Sequence, residues 1–256
     1  MRNYIVVRES PDWLGYDLES SRQFCRRSGL PETAVIEMAD AWDRALAVDY
    51  RHFRAELKRI STANLYEVSD AEVLAHWEFR SVDLGGDDYV IFVDDDDWLA
   101  PEVFVTLRQQ SLGDGALWSS VRVGSDFSPN RVEADTGMFS LRPTSNVVYT
   151  NNYAMTGRAL RRVGLGAAFE HYNAQKASDD GRFRPACVPR YLSAANKHPA
   201  STVAAAHFWS PERRLNIRSV LSGIVAEMEE VAVPADLGWA VPPIEAVREL
   251  LRATIH

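Results

Sequence analysis

Gly86-Asp87-Asp88-Tyr89-Val90-Ile91-Phe92-Val93-Asp94-Asp95-Asp96-Asp97-Trp98-Leu99-Ala100-Pro101 is the stretch from which the fold is read. Val90 to Val93 form an unbroken β-branched and aromatic run of the kind a strand covered on both faces requires. Gly85-Gly86-Asp87-Asp88 ahead of it reads as a turn, and Pro101 behind it opens a helix expected over Pro101 to Gln110. Four consecutive aspartates, Asp94 to Asp97, therefore fall at the carboxyl end of a buried strand, where α/β sheets bind ligands. Adjacent carboxylates repel one another, and a strand end offers them little to pair with. A divalent cation, or a cation with a phosphate, would take that charge, and hard oxygen ligands suit Mg²⁺ or Mn²⁺. An acidic run is more often a solvated loop or tail; here the apolar strand before it and the helix after it argue against a tail.

Outward from this unit, Tyr4 to Val7 reads as an opening strand broken by Ser10-Pro11-Asp12. Asp17 to Arg27 reads as a helix, and Ala34 to Ile60 as one long or two shorter helices. A strand is expected at Asn64 to Val68, a helix at Asp70 to Phe79 and a strand at Ala116 to Val123. This alternation predicts an α/β fold with a mostly parallel, Rossmann-like sheet flanked by helices. The second half predicts short strands at Met138 to Arg142 and Asn146 to Thr150, and a short helix Gly157 to Val163 closed by Gly164. Phe169 to Ser201 is expected to be loop-rich. Amphipathic helices are expected at Arg213 to Glu230 and Ile244 to Thr254. No linker divides the chain, so 1–256 reads as one domain, with a first half 1–123, a loop-rich half 124–210 and C-terminal helices 211–256.

The 256 residues suffice for one substantial core, and 46% hydrophobic with 25% charged residues is ordinary for a globular domain. The net charge of −8 argues against duplex nucleic acid as partner, since phosphate-binding surfaces are usually basic. Cys25 and Cys187 are two and far apart, which suggests neither a disulfide framework nor a thiolate metal site. The opening apolar stretch is too short for a signal peptide, and no segment approaches the ~20 apolar residues of a membrane span. A cytoplasmic, reduced setting is the expectation.

The stretch from Gly86 to Pro101 resembles the central motif of GT-A glycosyltransferases, more narrowly the inverting family-2 type and its rhamnosyltransferase-like relatives. There a Gly-x-Tyr-Ile turn enters a buried strand that ends Asp-x-Asp-Asp, followed by an aromatic or Leu and a Pro that opens a helix. Asp94 and Asp96 match the Asp-x-Asp positions, and Asp97 is the acid after them. A second stretch, Thr150-Asn151-Asn152-Tyr153 through Arg161-Arg162-Val163-Gly164, is similar to the strand and short helix that follow the motif in that family. The resemblance implies a hexosyl- or deoxyhexosyltransferase with a nucleotide-diphosphate sugar donor, whose diphosphate is bridged to the protein by Mn²⁺ or Mg²⁺. It implies metal ligation by Asp96, Asp97 and a late histidine, His198, with His207 competing for that role. Donor contacts fall to Asp94, Asp95, Asn151, Asn152 and Lys197. The catalytic base is an acid after Val163-Gly164: Glu170, Asp179 or Asp180, with Asp179-Asp180-Gly181 preferred, and displacement inverts the anomeric carbon. Two departures stand out. The Asp-x-Ser segment that helps bind base and ribose is missing, with Asp40 or Asp70 as substitutes, and Val7-Arg8-Glu9-Ser10-Pro11 replaces the usual Pro-x-x-Asn. Donor sugar, nucleobase and acceptor stay open.

Two other readings compete. A haloacid-dehalogenase-like phosphotransferase also ends a buried strand in Asp-x-Asp, its first aspartate the nucleophile. It wants Thr or Val where Trp98 stands, and its motif opens the fold. A non-catalytic, metal-dependent sugar- or nucleotide-binding module would use the seven tryptophans and nine tyrosines for stacking. Outside the motif, the helix from Arg213 carries Arg213, Arg214 and Arg218 first and Glu227, Glu229 and Glu230 last, against its dipole. It is either a solvated face or a contact for a homo-oligomer or an acceptor.

Overall fold

The computed structural model describes residues 1–8, 26, 29, 55–110, 113–124, 139–197, 233 and 235–255. One sheet organises them. Strand β1 (Asn3–Arg8) lies between β2 (Glu72–Ala75) and β3 (Tyr89–Asp94), parallel to both, with Arg8 opposite Asp94. Beyond β3 come β7 (Tyr153–Thr156), β5 (Gly115–Gly124), β8 (Ala186–Lys197) and the two-residue β4 (Trp98–Leu99); β6 (Phe139–Arg142) also pairs with β5. Because β7 is antiparallel to both β3 and β5, β5 runs the same way as β3, and β8 runs parallel to β5. The architecture is the expected α/β, Rossmann-like one: a parallel trio leading into a mixed half.

Alternation along the central strands builds two cores. Ile5, Val7, Tyr89, Ile91 and Val93 face one side, where they meet Leu99, Val103, Phe104, Leu107 and Trp118. Tyr4, Val6, Val90 and Phe92 face the other, against Tyr153, Met155, Leu160, Val163 and Phe183. Helix α3 (Val103–Arg108) covers the first face. The second carries α4 (Gly157–Val163), α5 (Leu165–Phe169) and α6 (His171–Asp179). Each fully buried aliphatic or aromatic side chain contributes about 1.5–3 kcal/mol, so a strand buried on both faces is costly to move. That makes β3 a rigid support for the acidic turn at its end.

Glycines allow two close approaches. A Cβ on Gly115, at φ +146°, would meet the Ala154 carbonyl oxygen at 2.0 Å, and one on Gly157 would meet the Gly85 carbonyl oxygen at 2.1 Å. The turn before β3 is closed by Asp88, which is buried and accepts from the backbone N–H of Arg2 at 2.6 Å and of Gly85 at 2.8 Å. Burial pushes this carboxyl up, but the two N–H donors, with Arg2 and the N-terminal ammonium, outweigh it and hold it below the ordinary aspartate value.

Several local expectations are corrected. Residues 55–66 form a helix, α1, where a strand was expected from Asn64; Leu57, Ile60, Ser61 and Leu65 are buried at helical spacing. Asp70 takes φ +60°, and the segment behind it is β2 followed by a one-turn helix, α2 (His76–Phe79), instead of one helix. Pairing of Leu74 with Val6 decides this, a tertiary contact overriding local propensity. Asn146 to Thr150 is irregular, and the stretch expected to be loop-rich contains α6 and the twelve-residue β8. Pro189 disguises β8: register jumps from Trp118↔Val188 to Ser119↔Tyr191, a bulge that accommodates a residue without an N–H. The predicted β1, β3, β5 and α4 are present, and the C-terminal helix, α7, spans Val241–Ile255 after a 3₁₀ segment at Ala235–Ala240. The helix expected at Arg213 to Glu230, that at Asp17 to Arg27 except Arg26, and most of that at Ala34 to Ile60 lie outside the described residues.

Candidate functional site

The apolar strand β3 ends by delivering Asp94, and the chain turns at once: the Asp97 N–H donates to the Asp94 carbonyl at 3.0 Å, and the Asp95 N–H to that of Arg8 at 3.3 Å. The turn gathers one carboxylate oxygen each from Asp94, Asp96 and Asp97 within 4.8 Å of one another. All of these donors are hard, anionic oxygens, a set that fits Mg²⁺ or Mn²⁺ and not a soft metal.

Asp97 is the fixed member, only 1% exposed. Its Oδ1 accepts from the backbone N–H of Asn196, on β8, at 2.8 Å, and its Oδ2 from Asn151 Nδ2 at 2.9 Å. Behind Asn151 stands a relay: Trp118 Nε1 donates to Ser193 Oγ at 2.9 Å, and Ser193 Oγ donates to Asn151 Oδ1 at 3.4 Å. Each link donates towards the carboxylate, so the hydrogen bonds reinforce one another and hold it in one orientation.

Arg8, at the end of β1, holds the opposite side. Its Nε lies 2.8 Å from Asp94 Oδ1, Nη1 donates to the Phe169 carbonyl at 2.9 Å, and Nη2 donates to the Thr150 carbonyl. The guanidinium also lies 5.9 Å from the centre of the Phe169 ring. One nearly buried cation thus ties Asp94 to the turn before β7 and to the junction of α5 with α6. Beneath them the Tyr153 hydroxyl donates to the Ala168 carbonyl at 2.7 Å. Burial pushes this phenol far up; Arg8 opposes the rise, while Asp94 and Glu170 add to it. It stays neutral, and both carboxylates act on the same buried oxygen.

The other sequence-predicted residues divide by sheet edge. Asn151 reaches the cluster. Asn152 is buried and engaged with backbone: Oδ1 accepts from the Tyr149 N–H at 2.7 Å, and Nδ2 donates to the carbonyls of Val147 at 3.1 Å and Trp118 at 3.3 Å. Lys197 closes β8, one residue past Asn196. His198, His207 and Asp40 lie outside the described residues. Asp70 precedes β2 at the edge where β1 and β3 begin, away from the acids.

The preferred base pair, Asp179 and Asp180, stands at the carboxyl end of α6. Asp179 Oδ1 accepts from Gln175 Nε2 at 2.8 Å, and Asp180 Oδ2 from Arg182 Nη2 at 3.3 Å. The Arg182 carbonyl accepts from Arg162 Nε, Arg162 pairs with Asp114 at 2.5 Å, and the Arg184 N–H donates to Asp114. Asp114 precedes β5, level with Thr156 and so with Tyr89 at the start of β3. Arg184, four residues past Asp180, therefore sits towards the opposite edge of the sheet from Asp94–Asp97, whereas Gln175, the partner of Asp179, also accepts from the Val148 N–H and donates to the Asn146 carbonyl. The third candidate, Glu170, directly follows the Phe169 carbonyl that Arg8 grips.

Arg8, Ser193 and Asn196 were not singled out from sequence. A signal existed for Arg8, a cation closing an apolar strand that a parallel sheet sets beside the one ending in Asp94. Asn196 offered none, since β8 itself was hidden.

No family model matches the chain, and no curated protein does. Among solved structures, it is similar to residues 1–349 of S. aureus TarS in complex with UDP-GlcNAc, at 10% identity and a TM-score of 0.38, covering 98% of this chain and 72% of that one. A second structure of TarS 1–349 gives 10% identity and a TM-score of 0.35, over 99% and 91%. So slight a likeness assigns neither substrate nor chemistry; the site's own geometry has to carry the reading. No helix among the described residues is long and apolar enough to cross a membrane.

Proposed function

We propose that this chain is a GT-A-type glycosyltransferase that moves a hexosyl or deoxyhexosyl group from a nucleotide-diphosphate sugar to an acceptor hydroxyl, with inversion. The observation that carries the proposal is the convergence of Asp94, Asp96 and Asp97 at the carboxyl end of the central strand. Asp97 is locked there by β8 and by the turn before β7.

Asp96 and Asp97 would hold Mn²⁺ or Mg²⁺. When bound, that cation stabilises the charge developing on the departing diphosphate. The chain's residues do the rest. Arg8 pairs with Asp94 at the end of β3, and that carboxylate is assigned to the donor's ribose or sugar. Asn151 and the Asn196 N–H prevent Asp97 from rotating away. Among the acids that follow Gly164, we assign the base to Glu170, which takes the acceptor's proton as its oxygen attacks the anomeric carbon. Support for Glu170 over Asp180 is the Arg8 bridge from Asp94 to the Phe169 carbonyl.

The test is release of nucleoside diphosphate from a panel of nucleotide sugars with Mn²⁺. Turnover should stop with a chelator and with Asp96→Ala, and fall sharply with Glu170→Gln but not with Asp180→Asn. Release that survives both chelation and Asp96→Ala would overturn the assignment, as would turnover of a simple phosphate ester in its place.

A further inference from the structure

Asn151 and Asn196 both bond to Asp97, and Asn152 follows Asn151 in the turn before β7; their side chains differ in one respect. The side-chain amides of Asn151 and Asn152 both donate within the protein. The Nδ2 of Asn196 is buried and finds no acceptor among the described residues, although the residue is 2% exposed. A buried amide N–H₂ without a partner is uncommon and costs stability, because water has been given up and nothing replaces it. Its backbone N–H, by contrast, is well used, on Asp97 Oδ1.

Position supplies the second half. Trp98 pairs with Ala194 in an antiparallel ladder, so the residues after Ala194 run back past Asp97 and Asp96. Asn196 therefore lies beside the acids and not in the hydrophobic layers. An uncharged donor next to clustered carboxylates is what an incoming anionic oxygen can use, since it adds a hydrogen bond without another negative charge.

We infer that the Asn196 side-chain amide is a binding group for an oxygen of the donor's diphosphate, waiting unpaired until the nucleotide enters. This rests on the nucleotide-sugar reading of the same site. Asn196→Ala removes the waiting donor and leaves the backbone bond to Asp97 in place, so a ligand role and a supporting role predict opposite results.

The experiment compares wild type with Asn196→Ala by calorimetric titration of UDP, GDP, ADP, CDP and dTDP, each with Mn²⁺, and by thermal melting without ligand. The expected result is a nucleoside diphosphate that binds wild type and binds the variant about tenfold more weakly or worse, as loss of a hydrogen bond to a charged oxygen implies. The ligand-free variant should melt at or above the wild-type temperature. Equal affinity would overturn the inference, and so would a fall in both melting temperature and affinity, the mark of a support for Asp97. If wild type binds none of the five, the nucleotide-sugar reading falls first and this inference with it.

Discussion

Replacing Asp96 with Asn should stabilise the metal-free protein and destabilise it relative to wild type once Mn²⁺ is present. The magnitude comes from the spacing. Oxygens of Asp94, Asp96 and Asp97 lie within 4.8 Å of one another. Two unit charges at that distance repel by about 1 kcal/mol at the dielectric constant of water and about 3.5 kcal/mol at an effective value of ~20. Arg8, paired with Asp94 at 2.8 Å, offsets part of this for Asp94. A net gain of about 1–2 kcal/mol on neutralising Asp96 is expected, equivalent to about 2–8 °C in a chain of this size. The cation reverses the order: at about 100 times its dissociation constant it stabilises wild type by about 2.7 kcal/mol, and the variant, having lost a ligand, receives less. Differential scanning calorimetry with EDTA and then with Mn²⁺ reads both states. A variant that melts below wild type in EDTA would show that these carboxylates are not held together against their own repulsion, and the reason for expecting a cation would go with it.

Asp97→Ala should act in the opposite sense to Asp96→Asn: it leaves the Asn196 N–H and Asn151 Nδ2 without their acceptor, at about 1–3 kcal/mol each, and chemical denaturation should show a net loss of about 2 kcal/mol. Gly115→Ala would place a Cβ 2.0 Å from the Ala154 carbonyl oxygen at φ +146°; strain and overlap should cost about 3 kcal/mol or more, read as a melting temperature lowered by roughly 6–12 °C. Asp88 is held below its unfolded value, so its stabilisation is fully present above about pH 3.9 and is lost as pH falls through the lower folded value. Asp88→Asn should remove that part of the acid-side slope in urea unfolding measured from about pH 6 to about pH 2, and an unchanged slope would refute the assignment.

What could be read from sequence depended on whether the deciding contacts were local. Tyr89 to Val93 contain no charged residue, and both cores accept that run, so β3 and the acids at its end were legible from one short window. The same holds for α4, whose closing Gly164 at φ +90° donates its N–H to the Leu160 carbonyl at 2.8 Å. Glu72 to Ala75 hides its strand character, because that lies in pairing with Tyr4 to Val7, far back in the chain. β8 is hidden because Pro189 interrupts the pattern and a bulge absorbs it. The site inherits both kinds of legibility. Its charges are consecutive in the chain, whereas what holds them, Arg8 and Asn196, comes from β1 and β8, the first and last strands in chain order among the described residues.

That division has a physical reason. A carboxylate cluster at a strand end needs nothing from the rest of the chain to exist, only to be held in one geometry. Here the holding is asymmetric. Asp94 is gripped by a charge, through Arg8, and Asp97 by neutral donors, through Asn151 and Asn196. Asp96, between them, is partly exposed. On the proposed assignment, a cation shared by Asp96 and Asp97 would meet in Asp97 a ligand already oriented by Asn151 and Asn196, while Arg8 engages the third carboxylate, Asp94. The guanidinium contributes a second constraint, since the same group grips the Phe169 carbonyl and so fixes where Glu170 leaves the α5–α6 junction. Spacing between Asp94 and the start of Glu170, the two acids proposed to face donor and acceptor, is thereby set by one side chain that belongs to neither.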